Sequence, residues 1–137
     1  MPNTTVLVCI DGCDPEYLDA CEMPNLREMS RRGFLKIGRS LMPSVTNVNN
    51  VSLLTASYPE AHGICSNYRL VRESGEGIYM ETGDHIIVET MFQRAQVQGK
   101  TSVLVTAKDK LRTLLSEGAT ISVSSEQAPG WVVDGVG

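Results

Sequence analysis

The sequence predicts an α/β fold, a mostly parallel sheet flanked by helices. Two observations carry that expectation. Strand-like and helix-like segments alternate along the chain, and parallel strands need a long crossover, usually a helix, between them. The first strand-like run, "TTVLVCI" from Thr4 to Ile10, is continuously β-branched or apolar, as in a strand covered on both faces.

The elements follow in order. "TTVLVCI" ends in the polar turn "DGCDP". Met23, Leu26 and Met29 share one face of a helix from Met23 to Arg32, with Gly33 placed to end it. "FLKIGRSLM", from Phe34 to Met42, reads as a second strand. Pro43 and Ser44 break the chain, and a helix runs from about Asn47 to Ala56. Tyr58 to Asn67 is a loop. The Gly- and charge-rich stretch "RESGEGIYMETGDH" is a hairpin or surface excursion. Val88 to Gly99 is an amphipathic helix, Lys100 to Ala107 a strand, "KDKLRTLLSEG" its following helix and "ATISVSS" a further short strand.

Composition bounds the function. The chain has 137 residues, 42% hydrophobic and 20% charged, an ordinary globular balance. Its net charge of −4 argues against a general nucleic-acid binder. No apolar run reaches bilayer length, and the N-terminus lacks the pattern of a signal peptide, so a cytoplasmic protein is expected. The four cysteines, Cys9, Cys13, Cys21 and Cys65, form no C-x-x-C pair and are expected as reduced, partly buried thiols. "PGWVVDGVG" ends the chain on a strand-like stretch. The expectation is therefore one domain, residues 1–137, that is the N-terminal part of a longer catalytic domain.

Ligands of open α/β sheets bind beyond the carboxyl ends of the strands, and three polar clusters fall there. Asp11 follows the first strand, where a carboxylate suits a divalent metal, although Asp11 and Gly12 also suit a plain turn. Thr46 opens a helix after the second strand. It is placed to cap that helix, or to act as a nucleophile if a metal lowers the pKa of its hydroxyl. The positive helix end would attract phosphate, and Asn47, Asn49 and Asn50 offer neutral donors for phosphoryl oxygens. Lys108 and Lys110 follow "VLVTA"; beside Asp109 they are either a solvated face or an anion site.

Taken together, "VLVCIDGCDPEYL", "MPNLREMSRRG", "MPSVTNVNNVSLLTASYPEAHGICSNY" and "VLVTAKDKLRTLL" resemble the alkaline phosphatase superfamily, in its nucleotide pyrophosphatase-like branch. "TNVNN", "HGICSN" and "TAKDK" narrow the resemblance to the phosphonoacetate-cleaving group. The resemblance implies two zinc ions, with Asp11 and Thr46 ligating one of them. It implies Thr46 as the residue that becomes phosphorylated, Asn67 as a phosphoryl-oxygen ligand, and Lys108 and Lys110 as the grip on the substrate carboxylate. His62 is expected to be structural. The small-molecule phosphonate is the expected partner, with no nucleic acid and no membrane; a homodimer is compatible with the reading.

The family's later Asp-x-x-x-His segment, Asp-His pair and distal His have no counterpart in this sequence. "Asp84-His85" mimics the pair but precedes the "VLVTA" strand, so His85 is read as a surface residue. The Asp11–Thr46 gap is also somewhat shorter than the family pattern. Two alternatives stand beside phosphonoacetate hydrolysis. One is a nucleotide pyrophosphatase or phosphodiesterase, which needs an aromatic clamp that four Tyr, two Phe and one Trp supply sparsely. The other is a non-catalytic, anion-binding α/β remnant.

Overall fold

The computed structural model describes residues 4–128, which fall into two compact units that divide after Ser40.

The N-terminal unit contains helices α1 (Tyr17–Ala20) and α2 (Pro24–Arg32). Pro24 at the first turn presets the helical φ of α2, where its missing N–H costs nothing. Gly33 ends the helix as expected, its N–H bonded to the Met29 carbonyl at 2.9 Å. Arg27 stitches the two helices together. Its Nη2 donates to the Leu18 carbonyl at 2.8 Å and the Cys21 carbonyl at 3.0 Å, satisfying acceptors at the end of α1. The strands expected at Thr4–Ile10 and Phe34–Met42 do not form; both runs are irregular. A strand exists only through a neighbour, and among the described residues neither run has a ladder partner. Val6, Val8, Phe34 and Ile37 are exposed instead of sandwiched.

The second unit carries the α/β architecture. It runs α3 (Thr46–Thr55), α4 (Pro59–His62), β1 (Tyr68–Val71), β2 (Glu76–Tyr79), a 3₁₀ turn (Gly83–His85), α5 (Met91–Val97), β3 (Val103–Thr106), α6 (Asp109–Leu115) and β4 (Ile121–Ser124). The expected excursion is the antiparallel hairpin β1–β2, with Tyr68 opposite Tyr79 and Val71 opposite Glu76. β3 and β4 pair in parallel with α6 as their crossover, the unit that the alternating pattern predicts.

The core lies against α3. Val48, Val51 and Leu54, three residues apart and so on one face, pack with Ile64, Met80, Leu114 and Leu115. Each such side chain, fully buried, contributes about 1.5–3 kcal/mol. β3 alternates: Leu104 and Thr106 turn inward while Val103 and Val105 are exposed. Thr90 and Gln93 form a reciprocal capping box on α5, and the Thr90 hydroxyl also donates to the Glu117 carbonyl at 3.0 Å. Gly118, at φ 82°, makes that approach feasible, since a Cβ there would lie 2.7 Å from the Gln93 Cα.

All four cysteines are free thiols, and they are exposed rather than partly buried, three of them lying in the N-terminal unit, where none of the described residues is buried. Among the described residues no helix is long and apolar enough to cross a membrane. The strand-like "GWVVDG" lies outside the described residues.

Candidate active site

Thr46 is the first residue of α3, not its cap. The cap position belongs to Val45, which has no side-chain oxygen to offer. The missing cap comes from a distance: the Asn67 side-chain carbonyl accepts the Asn47 N–H at 3.1 Å. That bond fixes which way the Asn67 amide faces. Among the described residues its NH₂ makes no hydrogen bond, so two donors stand beside the Thr46 end of the helix. The structure thus brings together Thr46 and Asn67, 21 positions apart in sequence.

The three asparagines after Thr46 have other work than orienting phosphoryl oxygens. The buried Asn47 donates through Nδ2 to the Met80 carbonyl at 2.7 Å, tying α3 to the end of β2. Asn49 Nδ2 donates to the Val45 carbonyl at 3.1 Å, and Asn50 Nδ2 to the Thr46 carbonyl at 2.9 Å. An asparagine-rich helix start therefore has a structural cause: the amides satisfy backbone carbonyls.

Lys108 occupies the cap position of α6 and Lys110 its second residue. The Lys110 Nζ lies 4.7 Å from the centroid of the Tyr79 ring. Tyr79 in turn donates a long hydrogen bond, 3.5 Å, to the Asn47 side-chain oxygen. Lys110, Tyr79, Asn47 and Asn67 thus form a connected group around the start of α3. Asp109 does not neutralise the lysines. Its Oδ1 accepts from Arg112 Nε at 2.6 Å and from Ser124 Oγ at 3.0 Å. The Arg112 hydrogen bond, aided by that of Ser124, holds its carboxyl below its ordinary pKa. Among the described residues neither Lys108 nor Lys110 makes an ion pair, and both are exposed.

His62 is structural, as expected. It is fully buried, with Nδ1 accepting the Ile64 N–H at 3.1 Å. Nδ1 therefore carries no proton, and Nε2–H donates to Ser52 Oγ at 2.7 Å. Ser52 passes its own hydroxyl proton toward the Val48 carbonyl at 2.7 Å. Burial pushes the imidazole pKa down, consistent with a neutral ring. His85 sits half-exposed in the 3₁₀ turn.

Asp11 belongs to the N-terminal unit. There it and Gly12 are the centre of a turn closed by the Cys13 N–H on the Ile10 carbonyl at 3.3 Å, with Gly12 at φ 74°. Among the described residues no three His, Cys, Asp or Glu side chains gather to hold a metal. Asp11 offers a carboxylate, a donor that zinc accepts, and Thr46 lies in the other unit.

Two contributors carry no sequence signal strong enough to find them. Tyr79 lies in a stretch that reads as a surface excursion; its pairing with Tyr68 across the hairpin is the one trace. Ser52 is an unremarkable helix serine until His62 folds against it.

This helix start, capped by the Asn67 amide and linked to Lys110 through Tyr79, sits in a chain that belongs to the type I phosphodiesterase / nucleotide pyrophosphatase family, whose model it matches over residues 5–127. Two solved structures sharpen the comparison. The phosphonoacetate hydrolase of Sinorhizobium meliloti 1021 in complex with phosphonoacetate is 42% identical, with a TM-score of 0.75 over 80% of this chain. The same enzyme in complex with phosphonoformate gives 39% identity and a TM-score of 0.82 over 89% of this chain. The chain spans 28% and 32% of the lengths of those structures. A venom phosphodiesterase of Macrovipera lebetinus is 35% identical over 65 residues, 45% of this chain and 8% of the relative.

Proposed function

We propose that this chain supplies the nucleophile half of a phosphonate hydrolase that cleaves the C–P bond of phosphonoacetate to acetate and phosphate. The observation that carries the reading is the 42% identity to a phosphonoacetate hydrolase over most of the chain. The start of α3, with Asn67 and Lys110 gathered at it, supports the same reading.

Thr46 Oγ attacks phosphorus and forms the new O–P bond as the C–P bond breaks. The Thr46 hydroxyl releases its proton to water as it attacks; the electron pair of the broken bond moves to the acetate carbon, spreads into its carboxylate, and the carbon then takes a proton from water to give acetate. Water hydrolyses the phosphothreonine and releases phosphate. The positive end of α3 and the Asn67 NH₂ stabilise the phosphoryl oxygens. Lys108 and Lys110 hold the carboxylate, where charge grows in the transition state. Asp11 and Thr46 are the ligands this chain would give to zinc, and zinc when bound lowers the pKa of a coordinated hydroxyl.

The test is acid-quenched turnover of phosphonoacetate by a complete catalytic domain containing this chain. Mass spectrometry should find a phosphoryl group on Thr46, and chelation should stop turnover until zinc is returned. Turnover with no phosphate on Thr46 would remove the nucleophile assignment. The similarity to venom phosphodiesterase favours a second reading, hydrolysis of a phosphodiester. In that case nucleotide esters would outcompete phosphonoacetate.

A further inference from the structure

We infer that Tyr79 is a positioning residue for Lys110, fixing the ammonium beside the start of α3 without cancelling its charge. The inference rests on the phosphonoacetate reading, in which Lys110 grips the substrate carboxylate.

A lysine ammonium rides on a flexible four-carbon stem, and an exposed one samples many rotamers. To bind an anion tightly it must be held. A carboxylate would hold it, but would also occupy the charge that the ligand needs. An aromatic face attracts the cation through the ring quadrupole and leaves its charge unneutralised. The structure uses this second device: Lys110 Nζ stands 4.7 Å over the Tyr79 ring, while the nearest sequence carboxylate, Asp109, is taken by Arg112 and Ser124.

The ring is itself held from two sides. Tyr68, its register partner across the hairpin, packs edge-on with centroids 5.0 Å apart. The Tyr79 hydroxyl reaches the Asn47 side-chain oxygen at 3.5 Å. The residue after Tyr79, Met80, accepts from Asn47 at 2.7 Å. One aromatic residue therefore spans from the lysine to the helix that carries Thr46. Among the described residues no ring lies under Lys108, so the two lysines are not equivalent: only Lys110 is held in this way.

Two measurements test this. In proton NMR of the chain, ring current from Tyr79 should shift the Lys110 side-chain methylene resonances upfield. The shift should vanish in Tyr79→Leu and persist in Tyr79→Phe. In the complete enzyme, Tyr79→Leu should lower kcat/KM for phosphonoacetate roughly fivefold, the value of an exposed cation–π contact. It should leave an activated aryl phosphate within about twofold, because that substrate has no carboxylate to grip. Tyr79→Phe should retain both activities, and Tyr79→Leu should cost nothing further in a Lys110→Ala background.

Equal losses on both substrates from Tyr79→Leu, or full additivity with Lys110→Ala, would overturn the positioning role while leaving the phosphonoacetate reading intact. If Lys110→Ala itself damages both substrates equally, the substrate reading fails and takes the carboxylate role of Tyr79 with it.

Discussion

Helices α3 and α6 begin on residues that cannot cap with their own side chains, Val45 in one and Lys108 in the other. Each borrows an oxygen from later in the chain. For α3 it is the neutral amide of Asn67, on the Asn47 N–H at 3.1 Å. For α6 it is the carboxylate of Glu126, on the Asp109 N–H at 2.6 Å. Asp109 adds a second carboxylate in the first turn of α6, whereas the first turn of α3 contains no acid. Local geometry is thus similar and electrostatics opposite. The start of α6 is met by two carboxylates of the protein, whereas the borrowed cap of α3 is a neutral amide and its first turn holds no acid. The two helix starts thus differ in the charge of their caps and not in how the caps are supplied.

The comparison breaks most completely at Thr46. In the complete enzyme Thr46→Ala should lower kcat by about 10⁴-fold or more, the scale of losing a nucleophile. Circular dichroism should stay unchanged, because Thr46 is not the cap of α3. Near-normal turnover would make Thr46 an ordinary first-turn residue.

Making α3 resemble α6 is the next largest change. Asn67→Asp should preserve the borrowed cap and raise stability by about 0.3–1 kcal/mol through the helix dipole. The same variant should lose about 10²-fold in kcat/KM, since a carboxylate would repel the phosphoryl group. Urea unfolding and steady-state kinetics on one preparation measure both. A variant as active as the parent would show that the neutral cap has no bearing on the anion.

A sharper distinction concerns the lysines near the start of α6. Lys108→Ala and Lys110→Ala should each cost roughly 10-fold or more in kcat/KM on phosphonoacetate and much less on an activated aryl phosphate. Parallel losses on the two substrates would mean that the lysines serve the phosphoryl group or the fold.

The smallest effect separates the two helices by their response to acid. His62 supports α3 through Ser52, and burial lowers its folded-state pKa below the ordinary 6.5. Above 6.5 the ring is neutral in both the folded and unfolded chain, so its contribution is complete. As pH falls below 6.5 the unfolded chain gains a proton that the folded one resists, and stability declines toward the depressed folded pKa. Asp109 at α6 also has a lowered pKa, but its contribution persists above 3.8 and is lost only as pH falls below that value. Urea midpoints should therefore slope downward as pH falls below 6.5 in the parent chain. His62→Gln should flatten that slope, and Asp109→Asn should leave it unchanged.

Much of this was legible in the sequence. The types and approximate places of α2, α3, α5, α6, β3 and β4 follow from apolar spacing and Gly or Pro punctuation, which are local signals; α5 begins at Met91, three residues after the expected Val88, where the Thr90 capping box sets its start. The runs at Thr4–Ile10 and Phe34–Met42 have the composition of buried strands, yet strand formation depends on a partner that composition cannot supply. At the candidate site, motif resemblance names Thr46, Asn67 and the lysines, and the structure brings Asn67 to the start of α3. It could not show that Asn67 reaches back across 20 residues to cap α3, nor that Asn47, Asn49 and Asn50 bond to backbone carbonyls. Those facts depend on tertiary contact, as do the Tyr79 ring under Lys110 and the Ser52 partner of His62.

The β1–β2 hairpin has all its site-bearing residues at its open end: Asn67 just before β1, and Tyr79 and Met80 where β2 finishes. Its turn, around Ser74 and Gly75, lies beyond the Val71–Glu76 rung, roughly 10 Å along the ladder from Tyr79. Residues 72–75 are exposed. The hairpin is thus a handle whose grip and far end are mechanically separate. Residues inserted at Ser74, a fluorophore or a short epitope, would lengthen the handle while the rung at Tyr68 and Tyr79 stays in register. The molecule therefore offers an attachment point a few rungs from its proposed chemistry, at which cargo can be added without redesigning the site.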